Sequence, residues 1–381
     1  MQKELNISLI TQRTSELGLN QTKLSQEIGV SREAVSQWLS NENFPRADKL
    51  LQLGQLLKLN YSELVNIKDL NEPIIAFRKV GNAKTTEQHI KNAKLMGFEL
   101  EKLVKYLPFE TITKPQALNK PQNDYNYLQS AVLAIRESLG IKKIRIETSE
   151  IINFYKKSKT ILIPVLLGDK KKHENALHIH LPESATNWVY INLDTSELDF
   201  KFWLVHEIGH IITPDLRNDE AEEFADNFAG AFLFPKEIAQ KAYMEIMQIS
   251  NNNSKIKFIL NYASRYFISA YTVYYEINKY AENEGKKKIN LGNDFHPQNK
   301  NFGKTFKLVS ENLFGKNKPK AEEFINVCER EFQTLFFEML RKYMSSENYP
   351  SSYIRSILNI SVIDALEIYR YLLNGVQKNT P

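Results

Sequence analysis

The sequence has only one cysteine, Cys328, among its 381 residues. A single cysteine cannot form an internal disulfide, and it leaves no thiolate cluster for a structural zinc site. Any metal must therefore be held by histidine and carboxylate side chains. This scarcity of cysteine fits a reducing compartment, so we expect a cytoplasmic protein.

Long apolar runs are also lacking. The longest, Ile161 to Leu167, is interrupted by Pro164 and is far shorter than the about 20 residues that cross a bilayer. The first ten residues lack the basic and then apolar pattern of a secretory signal. We therefore expect no contact with a membrane.

A large excess of one charge is also lacking, because 50 basic and 45 acidic residues give a net charge of only +5. This surplus does not by itself predict nucleic-acid binding. With 14 glycines and 13 prolines, the composition excludes a collagen-like or largely disordered chain. The length predicts a globular protein of about two to three domains.

The apolar pattern predicts an α+β multidomain protein, in which an all-α domain is followed by a helical region, an α+β core and a helical C-terminal region. Within the second part we expect a helix from about Thr86 to Leu107 and a proline-containing linker at 108–124. The four parts have the following predicted bounds: 1–66, 67–124, 125–289 and 290–381. The sequence pattern of residues 290–381 does not reveal their role. Helices that complete the core and helices that recognise a substrate or a signal are equally compatible with it.

In the predicted α+β core, 125–289, several strands precede the helix that carries two of the candidate metal ligands. The predicted strand segments are IRIE, TILIPVLL, ALHIHL and WVYINL. We then expect one helix from about Glu197 to Ile212, a second from about Asn218 to Leu233, and a third that opens at Pro235.

Residues 18–46 have the pattern of two helices joined by a tight turn at Gly29, with Ser31 as the N-cap of the second helix. The second helix buries its apolar positions and leaves polar ones outward, where they can reach base edges in the major groove. Gln21, at the start of the first helix, is placed to hold a phosphate. The candidate DNA contacts are Gln21, Arg32, Glu33, Ser36 and Gln37.

This stretch resembles the lambda-repressor-like, XRE-type helix-turn-helix family over residues 5–66, which implies binding to operator double-stranded DNA. Leu39 departs from the family, which often has an acidic residue after the tryptophan. Residues 1–66 carry seven basic and seven acidic residues, so tight binding would need a homodimer. A helix-turn-helix that contacts only protein remains the alternative.

Residues 206–210 read His-Glu-Ile-Gly-His. On a helix, positions i and i+4 share a face, so His206 and His210 can reach one ion. In the zinc peptidase arrangement, the intervening glutamate, Glu207, is the general base. The surrounding residues are apolar, which predicts a buried helix and a dry cavity.

The next helix supplies the acidic residues. At 100° per residue, Glu222 flanks its apolar stripe, Asp226 lies one turn further on the same side, and Glu223 faces solvent. We therefore predict Glu222 as the third metal ligand and Asp226 as the acceptor that orients a ligating histidine. The alternative is that the glutamates form a solvated face.

The segments FWLVHEIGHII, ExxAD and FAGAFLFP together resemble the ImmA/IrrE family of zinc metallo-endopeptidases, most closely over residues 187–235. The resemblance implies a gluzincin-like core with Zn²⁺, a bacterial or phage regulatory role, and cleavage of a protein substrate, a DNA-bound repressor or antitoxin. It also implies that His206, His210 and Glu222 bind the zinc and that Glu207 is the base.

Two other functions remain open. One is a non-catalytic transcription factor or antitoxin that keeps the peptidase fold as a protein-binding scaffold, and the other is a peptidase with no DNA contact. The residue that stabilises the oxyanion is also open, and its candidates are Tyr271, Tyr274, Tyr275, His178 and His180. A strand edge beside the cleft could hold a substrate by backbone pairing.

Overall fold

We analysed a computed structural model, which divides into two compact units, Met1–Glu72 and Pro73–Pro381. Nine stretches of the chain are described by the structure: 2–40, 42–68, 72–78, 87–108, 117–143, 145–158, 160–166, 176–347 and 349–377. Among these residues no helix is both long and apolar enough to span a bilayer. Residues 109–116, within the predicted linker, lie outside the described residues.

The first unit is built of five helices and a two-stranded sheet among the described residues. Its elements are β1 (Gln2–Leu5), α1 (Ile7–Glu16), α2 (Gln21–Ile28), α3 (Arg32–Leu39), α4 (Ala47–Leu57), α5 (Tyr61–Leu64) and β2 (Val65–Lys68). Gly29 adopts a left-handed φ of 69° at the turn between α2 and α3. The Ser31 hydroxyl accepts the backbone N–H of Ala34 at 3.1 Å, which confirms the predicted N-cap.

The expectation of an all-helical first domain was wrong, because β1 and β2 pair antiparallel and join the start of the unit to its end. Leu5 and Val65, which are paired in this ladder, are buried in the unit's apolar core. The two strands have four residues each and lie far apart in the sequence. Strands this short show too little alternation to be recognised.

The second unit contains a mixed four-stranded sheet. Its strands are β3 (Ile74–Arg78), β4 (Ile161–Val165), β5 (Ala176–Leu181) and β6 (Thr186–Asn192), arranged in the order β3-β5-β6-β4. β5 pairs antiparallel with both of its neighbours, whereas β4 and β6 are parallel. Helices on the sheet bury β4 and β6 completely.

Helices form the remainder of the second unit. Their bounds are α6 (Glu87–Val104), α7 (Tyr125–Ser138), α8 (Thr148–Lys157), α9 (Glu197–Ile212), α10 (Asn218–Leu233), α11 (Lys236–Met247), α12 (Asn252–Tyr266), α13 (Ala270–Asn283), a 3₁₀ turn (Gly292–Asp294), α14 (Phe295–Gly303), α15 (Val309–Phe314), α16 (Ala321–Phe332), α17 (Phe336–Glu347), α18 (Ser351–Leu358) and α19 (Val362–Gln377). The predicted bounds of α9 and α10 are confirmed. The described fold is a helix-rich α+β multidomain architecture, as expected.

The segment IRIE was expected to form a strand, and this was wrong. Residues 145–147 lead into α8, and the Glu150 carboxylate accepts the backbone N–H of Glu147 at 2.9 Å. This bond satisfies the backbone N–H of Glu147 and stabilises the N-terminus of α8.

The C-terminal helices share the core of the sheet. The Tyr190 hydroxyl on β6 donates to the carbonyl of Ile357 at 2.8 Å, and Thr334 bonds to the carbonyl of Leu162 on β4. Cys328 on α16 is fully buried in the same apolar cluster. These contacts favour a role in completing the core. The finer bounds 67–124, 125–289 and 290–381 remain a prediction.

Candidate metal centre and helix-turn-helix surface

Helix α9 carries the two predicted histidines into the interior of the second unit. It packs against the sheet on β5 and β6, against α8 and against α10, so it is buried almost all round. His206, Glu207 and His210 are 0, 1 and 6% exposed. Gly209 brings α9 close to α10, because a Cβ there would lie 2.7 Å from the Cα of Ala225.

This close approach places Glu222 of α10 beside both histidines. The Nε2 atoms of His206 and His210 are 3.0 Å apart. The Glu222 carboxylate lies 3.5 Å from Nε2 of His206 and 3.3 Å from Nε2 of His210, through different oxygens. His206, His210 and Glu222 are thus brought together as one cluster of candidate metal ligands.

The three side chains are spaced closely enough to hold one metal ion such as zinc. Ligand bonds of 2.0 to 2.1 Å at tetrahedral angles place the donor atoms about 3.4 Å from one another. The Nε2 atoms of His206 and His210 are 3.0 Å apart, and each lies 3.3 to 3.5 Å from a different oxygen of Glu222, so the three side chains are close enough to share one ion. Two imidazole nitrogens and a carboxylate are also a donor set that zinc accepts, with one position left for water.

The electrostatics of Glu222 follow from the same contacts. Burial by itself raises the pKa of Glu222, but the bonds and charges of His206 and His210 outweigh burial and lower the pKa to about 2. The carboxyl group is therefore ionised at neutral pH, which is the form that binds a cation.

Asp226 lies one turn after Glu222 and contacts the other side of the His206 ring. Its Oδ1 is 2.9 Å from Nδ1 of His206. A proton held on Nδ1 by this bond leaves Nε2 with its lone pair toward Glu222 and His210.

His178 on β5 lies against His210 of the candidate site. Its ring stacks on that of His210, with centroids 6.0 Å apart and planes inclined by 15°. The side-chain oxygen of Asn187, on β6, lies 3.0 Å from a ring nitrogen of both His178 and His180. Burial, followed by the charge of His210, lowers the pKa of His178 to about 3, so the ring is neutral at neutral pH.

β5 is not an edge strand, because β3 covers the side of β5 that faces away from β6. β3 is not predicted by the sequence pattern. Its segment, PIIAFR, is short and is flanked by polar residues that carry no strand signal.

Glu207 follows His206 on α9 and is buried close to Tyr155 of α8. Burial and then the charge of Glu207 raise the pKa of Tyr155 well above its usual value. The Tyr155 hydroxyl donates to the carbonyl of Leu204, which anchors α8 against the α9 turn just before the histidines.

The three candidate tyrosines lie on α13, and two of them form hydrogen bonds with residues 289–296. The Tyr271 hydroxyl lies 2.6 Å from Nδ1 of His296, and the Tyr274 hydroxyl donates to the carbonyl of Ile289 at 3.1 Å. Tyr275 is 56% exposed. These contacts assign Tyr271 and Tyr274 to the packing of α13 against residues 289–296, whereas Tyr275 lies at the surface.

The predicted DNA contacts lie on α2 and α3 of the first unit. Arg32, Glu33 and Ser36 are exposed on α3. Gln37 is half-buried, and its side-chain oxygen accepts the amide of Asn43 at 2.8 Å. Gln21 is the first residue of α2 and is also half-buried.

The roles of two site residues, Gly209 and Asn187, were not predicted from the sequence. Gly209 lies inside the His-Glu-Ile-Gly-His motif, where glycine in a buried helix is a signal of close helix packing. Asn187 reaches His178 only through the β5–β6 register, which pairs His180 with Asn187. Strand register between segments is not readable from either segment alone.

Comparison with protein families bears on both units. Residues 9–64 match the family model described as helix-turn-helix, and residues 159–278 match the model described as the IrrE N-terminal-like domain. No curated protein and no solved structure gave a significant match. The second family is a peptidase family whose members are typically metal-dependent. We therefore identify residues 9–64 as an XRE-type helix-turn-helix domain, fused in one chain to an ImmA/IrrE-type peptidase-family domain at residues 159–278.

Proposed function

We propose that this protein is a DNA-binding regulator fused to a zinc-dependent endopeptidase with a gluzincin-like core, and that it cleaves a protein regulator, a repressor or an antitoxin. The observation that carries the proposal is that His206, His210 and Glu222 place potential ligand atoms within 4.8 Å of one another. The family match over residues 159–278 supports the peptidase reading.

In this proposal His206, His210 and Glu222 hold the zinc and Asp226 fixes the His206 ring. Bound zinc supplies a Lewis acid that polarises the scissile carbonyl and lowers the pKa of water. Glu207 accepts a proton from the attacking water and donates it to the leaving amine. Its burial keeps this carboxylate away from bulk solvent, where competing proton transfer would occur.

The first unit directs this activity to DNA. Arg32, Glu33 and Ser36 project from α3, the helix that would enter the major groove, and Gln37 lies beside them. Gln21 sits at the start of α2, where a backbone phosphate is usually held.

Co-expression with the regulators encoded beside this protein tests the proposal. We expect the level of one regulator to fall with the wild type and to stay high with Glu207→Gln, whereas both proteins retain zinc. Glu223→Gln is the matched control, because Glu223 is exposed on α10 and should behave as wild type. Equal regulator levels with the wild type and Glu207→Gln, at rest and under stress, would favour a scaffold without catalysis.

A further inference from the structure

The edge of the sheet beside the candidate metal centre is covered by a strand from outside the matched peptidase domain. β3 begins at Ile74, whereas the family match begins at residue 159. Among the described residues of the range 159–278, the sheet consists of β4, β5 and β6, and β5 would be its outer strand on this side. An outer strand presents unpaired backbone N–H and C=O groups, which readily take up another extended chain.

β3 is linked to the candidate metal centre through His178 and through α10. It pairs antiparallel with β5, and Ala76 is the Cα partner of His178. The His178 ring stacks on His210. β3 also contacts α10, the helix that carries Glu222. A segment in this position therefore contacts two elements, β5 and α10, that carry residues of the candidate site.

The start of β3 is fastened by α6. A Cβ at Gly97 of α6 would lie 2.5 Å from the Cβ of Pro73, so only glycine allows this approach. Pro73 is buried, and Ile75 packs against the main apolar core. Together with the contacts to α10 and the pairing with β5, these contacts hold β3 in place.

We propose that β3 occupies the place where the protein substrate is held, so that an extended apolar segment of the substrate pairs antiparallel with β5 only after β3 has left. This inference rests on the proposed peptidase function. A peptide held as an added strand has its backbone fixed in register, with the residue opposite His178 nearest the metal-binding histidines. The sequence of β3, Ile-Ile-Ala-Phe-Arg, indicates the kind of segment accepted: extended, apolar and β-branched, with a small residue opposite His178.

A disulfide across the β3–β5 ladder locks β3 in place without touching the metal-binding residues. Arg78 and Ala176 are Cα partners at one end of the ladder. Partners in an antiparallel ladder have Cα atoms about 4.5 to 5.5 Å apart, which a disulfide can span. The native Cys328 is buried and does not compete. The control is Glu4→Cys with Asn66→Cys, which places the same bond across the β1–β2 ladder of the first unit.

The first readout needs no catalysis. A fluorescein-labelled peptide with the sequence of residues 72–78 is titrated into the full-length chain, and its anisotropy is measured. We expect no binding to the oxidised Arg78→Cys, Ala176→Cys protein, and binding after reduction. Ala76→Pro, which weakens β3 in its own chain, should bind the peptide about tenfold more tightly than the wild type, because β3 no longer competes. A peptide with proline in place of Ala76 should not bind.

The second readout is cleavage of dye-labelled casein by the zinc-loaded proteins. We expect cleavage by the reduced form and none by the oxidised form, with the β1–β2 control unaffected by oxidation. Equal peptide binding by the oxidised and reduced forms, or equal cleavage by both, overturns the inference about β3. Peptide binding as expected with no cleavage of casein or of neighbouring regulators by any form would leave the strand exchange standing and count against the peptidase proposal.

Discussion

At the scale of single residues, the site depends on contacts that come from four different elements, α9, α10, β5 and β6. His206 and His210 share one face of α9 by helical spacing alone, and the pentapeptide makes this readable in the sequence. Helical spacing also predicts the positions of Glu222 and Asp226 on α10, because the apolar stripe of that helix determines which of its faces points to the core. Asn187, by contrast, depends on strand register, and nothing near it in the sequence indicates its contact with His178.

Replacing Asp226 with asparagine should weaken zinc binding about 10- to 100-fold. The change keeps the shape of the side chain but removes the negative charge that lies 2.9 Å from Nδ1 of His206. Competition with a zinc-binding dye measures the affinity. Glu223→Gln on the same helix is the control, and an equal loss of affinity in both variants would show that Asp226 has no special role.

Replacing Gly209 with alanine should lower the free energy of unfolding of the zinc-free protein by about 1 to 3 kcal/mol. The added Cβ would lie 2.7 Å from a backbone atom of Ala225, which cannot move without shifting α10. Gly303→Ala is the matched control, since a Cβ there meets no atom within 4 Å. Urea unfolding measures both, and equal stability of the two variants would contradict the close α9–α10 contact.

At the scale of elements, helices were predictable where local signals agreed. Pro214 and Pro235 end the regular pattern of α9 and α10, and their predicted bounds match the structure. The strands β1, β2 and β3 were missed because four or five residues carry too little periodicity. The segment IRIE was misread because β-branched residues stand before a helix whose start is fixed by Glu150.

Helix α3 should be the element that reads DNA. Arg32→Ala and Ser36→Ala together should weaken binding to the protein's own promoter, with a loss of about 1 to 3 kcal/mol if one side chain contacts a base directly. Fluorescence anisotropy at low salt measures the affinity. Gln55→Ala, exposed on α4, serves as the control, and a double variant that binds as well as this control would favour the protein-contact alternative.

At the scale of the whole molecule, the chain divides into a unit of residues 1–72 and a unit of residues 73–381. All candidate metal ligands lie in the second unit, so zinc should stabilise that unit alone. Among the described residues, β3 is the first strand of the second unit. Composition and pattern predicted two different kinds of domain, but the packing of the C-terminal helices into the core required tertiary contacts that no local pattern records.

Calorimetry should therefore resolve two transitions that respond differently to zinc. Zinc at about 100 times its dissociation constant should stabilise the second unit by about 2.7 kcal/mol and leave the first unchanged, and a chelator should reverse the shift. A zinc-dependent shift of both transitions, or of neither, would be inconsistent with a site confined to α9 and α10.

The most direct test of the central claim is the zinc content of the purified full-length protein, measured by mass spectrometry of the metal. We expect one zinc per wild-type chain, and close to none in His210→Ala and Glu222→Ala, while Glu223→Ala retains it. A wild type that takes up no zinc, or a His210→Ala variant that keeps all of it, would contradict the account.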